Sequence, residues 1–214
     1  MKIAVLSESP ADEAAIRIIV EGLLGSPTEV APTLPRGRDY GWPAVLRIAK
    51  NVVNHVYYRT DADGLVISVD SDDSPVHRES EDRSACDAKC RICQLRTGIA
   101  SSLQELRAIP GRTKLLTAIG LAVPSLEAWY RCGVDPHVSE ATWIHALRDQ
   151  KFPYDRSRLK LQVYGDDRPS LVLATNRATE IARQLASRLN DLEILFPNGF
   201  GALARDVRGW RSDA

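Results

Sequence analysis

The sequence predicts an α/β fold, with a mostly parallel central sheet flanked by helices. Three observations point there. The runs "KIAVLSE", "GLVISVD" and "TKLLTAIGLAVP" are almost continuously apolar, as strands buried on both faces are. Segments of helical period alternate with them through the first two-thirds of the chain, the pattern of a parallel sheet with crossover helices. Acidic residues stand just past these runs: Glu8 after the first, Asp70 and Asp72 at the third strand, and Glu127 shortly after the fourth. Ligands of such sheets collect at the carboxyl ends of the strands. The topology therefore makes these acids neighbours in space although they are distant in sequence.

Element by element, "KIAVLSE" is the first strand. "SPADEAAIRIIVEGLLG" follows as a helix in which Ala15, Ile18, Ile19 and Leu23 recur at three and four. Pro10 sits near its start, Asp12 and Glu13 in its first turn, and Gly25 is its stop. A Pro-rich connection holds a short second strand around Glu29–Thr33, and "AVLRIAKNVVNHVYY" is the next helix. "GLVISVD" is the third strand. Residues 74–94 then turn polar and Cys-rich without periodicity, which predicts an insertion over about 75–95. Helical pattern resumes in "GIASSLQELRAI". The fourth strand lies in "TKLLTAIGLAVP", and "SLEAWYRCG" starts a helix with Ser125 as cap and Gly133 as stop. Three more helical segments follow: "SEATWIHALRDQ", "LVLATNRATEIARQLASRL" and "GFGALARDVRGW". Residues 1–133 are thus expected to form the α/β core, and 134–214 a helical C-terminal extension packed on it. Trp129, Tyr130 and Trp143, among apolar neighbours at helical spacing, are expected in the core.

The 214 residues suffice for one large domain, or one domain with a small appendage, without disulfide staples. Lys plus Arg and Asp plus Glu are 28 each, so the net charge is zero. That balance argues against a protein that coats nucleic acid by charge alone, while leaving room for a basic groove beside an acidic site. Arg36, Arg38 and the Arg91–Arg96 region are candidate phosphate contacts. The N-terminus carries a strand and not a signal peptide, and no stretch approaches the roughly 18 apolar residues of a membrane helix. A cytoplasmic location without membrane contact follows as the expectation, with cysteines as thiols or metal ligands.

The acids suggest the chemistry. Carboxylates a few ångströms apart repel one another unless a proton or cation intervenes. Hard oxygen donors select Mg²⁺ or Mn²⁺, which share their coordination between carboxylates, water and phosphate oxygens. Two such ions roughly 3.5–4 Å apart stabilise both oxygens of a phosphoryl displacement. Each acid also has a plainer role: Asp12 as a partner of the helix dipole, Glu127 as a cap or an Arg partner, and Asp73 as a solvated neighbour.

These residues resemble a family. "VLSESPADEAAIRIIVEGLLG" with "LVISVDSDD" is similar to the TOPRIM (topoisomerase–primase) signature, a Glu after the first strand and Asp-x-Asp after the third. Glu8-x-x-x-Asp12 entering a helix resembles nucleases of the OLD (overcoming lysogenization defect) type. "AVPSLEAWYRCG" and "FPNGFGALARDVRGW" resemble segments of small standalone TOPRIM-like proteins. The resemblance implies a Rossmann-like TOPRIM core and a Mg²⁺- or Mn²⁺-dependent nuclease acting on DNA or RNA. It implies metal roles for Glu8, Asp70, Asp72 and Glu127, a catalytic place for Asp12, and Lys160 as the counterpart of a late catalytic Lys. Ser9 stands where the family commonly has Gly. An ATPase partner, a homodimer and a place in anti-phage defence are further implications.

"HRESEDRSACDAKCRICQLR" carries His77, Cys86, Cys90 and Cys93 in the spacing H-x8-C-x3-C-x2-C. Three thiols and an imidazole in a polar segment suit tetrahedral Zn²⁺, which would supply folding free energy that the segment lacks. Such a zinc would be structural. Cys132 is the alternative fourth ligand to His77, or else a small buried apolar residue; free thiols in a loop are the competing account.

Two other functions fit the motifs. One is a non-catalytic module that binds nucleic acid or protein through the insertion and an Arg-rich surface. The other is a phosphatase of the haloacid-dehalogenase type, with Asp70 as nucleophile and Asp72 as acid, which leaves Glu8 without a role. No Gly-rich phosphate loop with Lys-Ser/Thr and no G-x-S-x-G elbow is present.

Overall fold

The computed structural model describes residues 1–31, 34, 41–77, 87–152 and 154–211. Its centre is a four-stranded, all-parallel sheet in the order β2-β1-β3-β4, formed by β1 (Lys2–Leu6), β2 (Glu29–Val30), β3 (Gly64–Asp70) and β4 (Leu116–Ala122). β1 and β3 pair from Ile3–Gly64 to Leu6–Ile67, and β3 and β4 from Gly64–Leu116 to Asp70–Ala122. The register brings the carboxyl ends of β1, β3 and β4 to one rim. Leu65, Val66, Ile67 and Val69 are buried, so β3 has apolar cover on both faces. β2 is shorter than the predicted strand, and Thr33 lies outside the described residues.

The helices flank this sheet. α1 (Pro10–Leu24) starts at Ser9, whose hydroxyl accepts the amide of Asp12 at 3.2 Å, and ends at Gly25 in the left-handed region at φ 65°. α2 (Trp42–Arg59) and α3 (Arg91–Gln104) pack on one another and on β3 and β4. The predicted insertion ends earlier than residue 95, because α3 begins at Arg91 and buries Ile92, Leu95 and Ile99. Those three side chains recur at helical spacing and belong to the core.

After β4 come α4 (Leu126–Tyr130), α5 (Glu140–Asp149), α6 (Arg156–Tyr164), α7 (Leu171–Leu185), α8 (Leu189–Leu195) and α9 (Phe200–Gly209). α6 is absent from the sequence reading, and the predicted helix over 171–189 is broken at Ala186–Arg188 into α7 and α8. α7 packs along α1, and α9 lies on β4. The apolar core is continuous from the strands into α7, α8 and α9. Trp129, Tyr130 and Trp143 are buried in it, with the Trp129 ring edge-on to Phe200 at 5.1 Å. No helix of the described residues is long and apolar enough to cross a membrane.

The turn before α9 fixes its approach to β4. The buried Glu140 carboxylate accepts the backbone amides of Asn198 (3.1 Å) and Gly199 (2.8 Å), and the Asn198 side-chain amide as well. Gly199 lies so close to β4 that a Cβ there would run into the Leu121 carbonyl oxygen. Glycine is required at this point by proximity and not by φ.

Candidate functional site

Four acids meet at the rim where β1, β3 and β4 end. Glu8 follows β1, Asp12 lies in the first turn of α1, Asp70 closes β3, and Glu127 lies in α4 after β4. Glu8 reaches across the sheet: its Oε1 accepts the backbone amide of Asp70 at 2.9 Å. Asp70 reaches the next connection in turn, its Oδ1 accepting the amide of Leu126 at 3.0 Å. Each strand end is thus tied to its neighbour through a carboxylate.

Electrostatics report the same gathering. Burial holds the Asp70 carboxyl well above its usual range, and repulsion from Glu127, Glu8 and Asp12 adds to the rise. Burial pushes Asp12 up to about 7, helped by Glu127 and Glu8 and opposed by a hydrogen bond from Ser9 and by the Lys160 ammonium. Burial also raises Glu8, against the amides of Asp70 and Trp42 and the guanidinium groups of Arg91 and Arg156. Two tyrosines complete the group. Burial and the surrounding carboxylates raise Tyr130 and Tyr164, and Tyr164 shares a hydrogen bond with Glu127.

Comparison with family models, curated proteins and solved structures gave no match. The TOPRIM likeness therefore rests on the sequence motifs quoted above.

Asp72 is placed differently from its predicted companions. Its carboxylate lies between two arginines, with Oδ2 at 2.7 Å from Arg91 Nη2 and Oδ1 paired to Arg156 Nη1. Arg91 also donates to the Asp70 carbonyl oxygen at 2.6 Å and stands 3.8 Å from Glu8 Oε1. Its guanidinium carbon lies 5.2 Å from the centre of the Trp42 ring. Arg91 belonged to the predicted phosphate-contact region, whereas nothing in the sequence marked Arg156. Lys160, one turn further along α6, is the cation nearest in effect to Asp12. Arg36 and Arg38 lie outside the described residues.

Among the described residues, no group of three or more His, Cys, Asp and Glu side chains is arranged so that it could hold a metal ion. The donor chemistry at the rim still suits a hard cation: Glu8, Asp12, Asp70 and Glu127 offer oxygen alone. Among the described residues, the Tyr130 hydroxyl, buried among Asp12, Glu127 and Asp70, has no hydrogen-bond partner, and the Ser125 hydroxyl at the start of α4 has none either. Unpartnered polar atoms beside partly protonated acids mark a place where a polar ligand improves the balance.

Of the predicted zinc ligands, Cys86 lies outside the described residues. His77 and Cys93 line one cavity of about 460 Å³ between α3 and the start of α9, together with Arg96 and Asn198. The His77 Nδ1 is buried without a hydrogen-bond partner among the described residues. Cys90 occupies the residue before α3 and is buried in the core, and is not among the residues lining that cavity. Cys132 is buried with Arg188 and Asp191 as its charged neighbours, and burial raises its thiol.

Proposed function

We propose that the chain is a metal-dependent nuclease of TOPRIM and OLD type that hydrolyses phosphodiester bonds in DNA or RNA. The observation that carries this reading is the meeting of Glu8, Asp12, Asp70 and Glu127, from four elements, at the carboxyl rim of a parallel sheet. Glu8, Asp70 and Glu127 would hold Mg²⁺ or Mn²⁺, with Asp12 beside them. The ion would supply Lewis-acid stabilisation of charge on the phosphoryl oxygens.

The chain's own groups divide the remaining work. The Asp70 carboxylate is oriented by the amide of Leu126, and the Glu8 carboxylate by the amides of Asp70 and Trp42, so both keep a fixed aim. Asp12, poised near neutrality, accepts or returns a proton at its carboxylate. Lys160 neutralises charge beside Asp12. The Tyr130 hydroxyl donates to an oxygen brought into the site.

The test is cleavage of supercoiled plasmid, single-stranded DNA and RNA with Mg²⁺ or Mn²⁺, set against EDTA and Asp70→Asn. Cleavage that needs both the ion and Asp70 supports the proposal; its absence on all three substrates overturns it. A binding module without turnover is the second reading, favoured by the engagement of Asp72 with two arginines. That engagement also weighs against the haloacid-dehalogenase reading, which needs Asp72 free to hand over a proton. A structural Zn²⁺ at His77, Cys86, Cys90 and Cys93, an ATPase partner, a homodimer, a role in phage defence and a cytoplasmic location belong to the same proposal.

A further inference from the structure

We propose that Arg91 and Arg156 form a clamp for a backbone phosphodiester of a nucleic-acid strand, and that Asp72 fills this clamp in the free protein as an internal substitute for the phosphate. This inference rests on the nuclease reading of the neighbouring carboxylates. Asp72 gives one carboxylate oxygen to each guanidinium. A phosphodiester presents the same pattern: two oxygens sharing one negative charge. Planar guanidinium forks recognise both groups through paired N–H donors.

The clamp is prepared before any ligand arrives. Arg91 is held by the Asp70 carbonyl at 2.6 Å and by the Trp42 face, and its side chain is only 13% exposed. Arg156, at the start of α6, is 44% exposed and faces the solvent side. One wall is therefore fixed, and the other is open to an incoming strand. The Asp72 main chain is pinned as well: its amide donates to the Pro124 carbonyl at 2.9 Å, and its carbonyl accepts Trp143 Nε1 at 3.1 Å. Its φ of 48° lies in the left-handed region, which the short Asp side chain tolerates. Only the carboxylate is left to swing out. A phosphate in its place would sit beside Glu8, which is 3.8 Å from Arg91, and hence next to the carboxylate group. Lys160, four residues after Arg156 and so on the same side of α6, extends the positive edge.

The test is anisotropy of a fluorescein-labelled oligodeoxythymidylate titrated with protein in EDTA, where no cleavage can occur. Asp72→Asn removes the internal competitor and is expected to tighten binding about tenfold, the equivalent of one charge-assisted contact. Arg156→Gln, an exposed change, is expected to weaken binding about tenfold and to lower the salt slope by about one. Inorganic phosphate should compete only at far higher concentration than unlabelled strand. Unchanged or weaker binding by Asp72→Asn overturns the proposal, as does an Arg156→Gln variant that binds like wild type. Phosphate competing as well as the strand overturns the diester assignment. Circular dichroism and melting confirm that each variant is folded before titration. A chain that binds in this way but never cleaves would remove the nuclease reading and leave the clamp standing; cleavage with unaltered binding in both variants would do the reverse.

Discussion

Glu8 and Asp70, 62 positions apart, are joined where β1 and β3 end by a hydrogen bond from the Asp70 amide to Glu8 Oε1 at 2.9 Å. Two acids that repel through their side chains are held together through one main-chain donor. The arrangement holds both carboxyls at the rim, where burial raises each of them and repulsion from neighbouring acids raises Asp70 further. A group built in this way should respond to pH and to cations in a defined direction.

Asp12 sets the pH response. Its carboxyl titrates at about 7 in the fold, against an ordinary 3.8. The folded state therefore binds this proton more tightly, so the contribution of Asp12 to stability is fully present below about pH 4 and is lost as pH rises through about 7. The loss is at most about 1.4 kcal/mol per pH unit for one group. Melting temperature in EDTA should fall between pH 5 and pH 8, and Asp12→Asn should flatten that fall. A wild-type curve parallel to that of the variant would contradict the assignment.

Divalent cations should reverse the loss. Mn²⁺ or Mg²⁺ at about one hundred times its dissociation constant adds about 2.7 kcal/mol to the stability of the form that binds it. The rise in melting temperature should be larger at pH 8 than at pH 5, because protons compete for the same oxygens. Asp70→Asn should abolish the rise and reduce any cleavage by at least about 100-fold. Equal shifts in wild type and variant would place the cation elsewhere.

Gly199→Ala tests the support beneath the rim. The added methyl meets the Leu121 carbonyl oxygen of β4, a main-chain atom that cannot step aside. We expect destabilisation of about 1–3 kcal/mol, read from urea unfolding. Gly98→Ala, with open space around the new methyl, should be neutral or stabilising by up to about 1 kcal/mol.

Zinc content separates the two accounts of the cysteines. One zinc per chain by elemental analysis, lowered by His77→Ala and by Cys93→Ala, is expected. A metal-free protein whose melting temperature is indifferent to chelator would leave the thiols as ordinary side chains.

How much of this was legible in the sequence differs by element. β1, β3 and β4 declared themselves because strands buried on both faces are nearly all apolar, and their ends placed Glu8, Asp70 and Glu127. α6 did not, for a physical reason: Leu159, Leu161 and Val163 are spaced by two and mimic a strand. In the helix Leu159 and Val163, four apart, are buried with Tyr164, while Leu161 is 54% exposed. The start of α3 merges with the insertion in sequence pattern because Arg91, Cys93 and Arg96 interrupt its stripe of Ile92, Leu95 and Ile99. The pairing of Asp72 has no signature in the sequence, since Arg91 and Arg156 lie 19 and 84 positions away and no spacing links either of them to Asp72. Strand-end acids are fixed by topology; their counter-charges are fixed by tertiary packing.

The most direct measurement is anomalous diffraction from crystals soaked in Mn²⁺ at pH 8. The account predicts a manganese peak at the sheet rim, within ligand distance of carboxylate oxygens from Glu8, Asp70 and Glu127. A well-occupied soak with no peak there, or with its only peaks among other side chains, would contradict it.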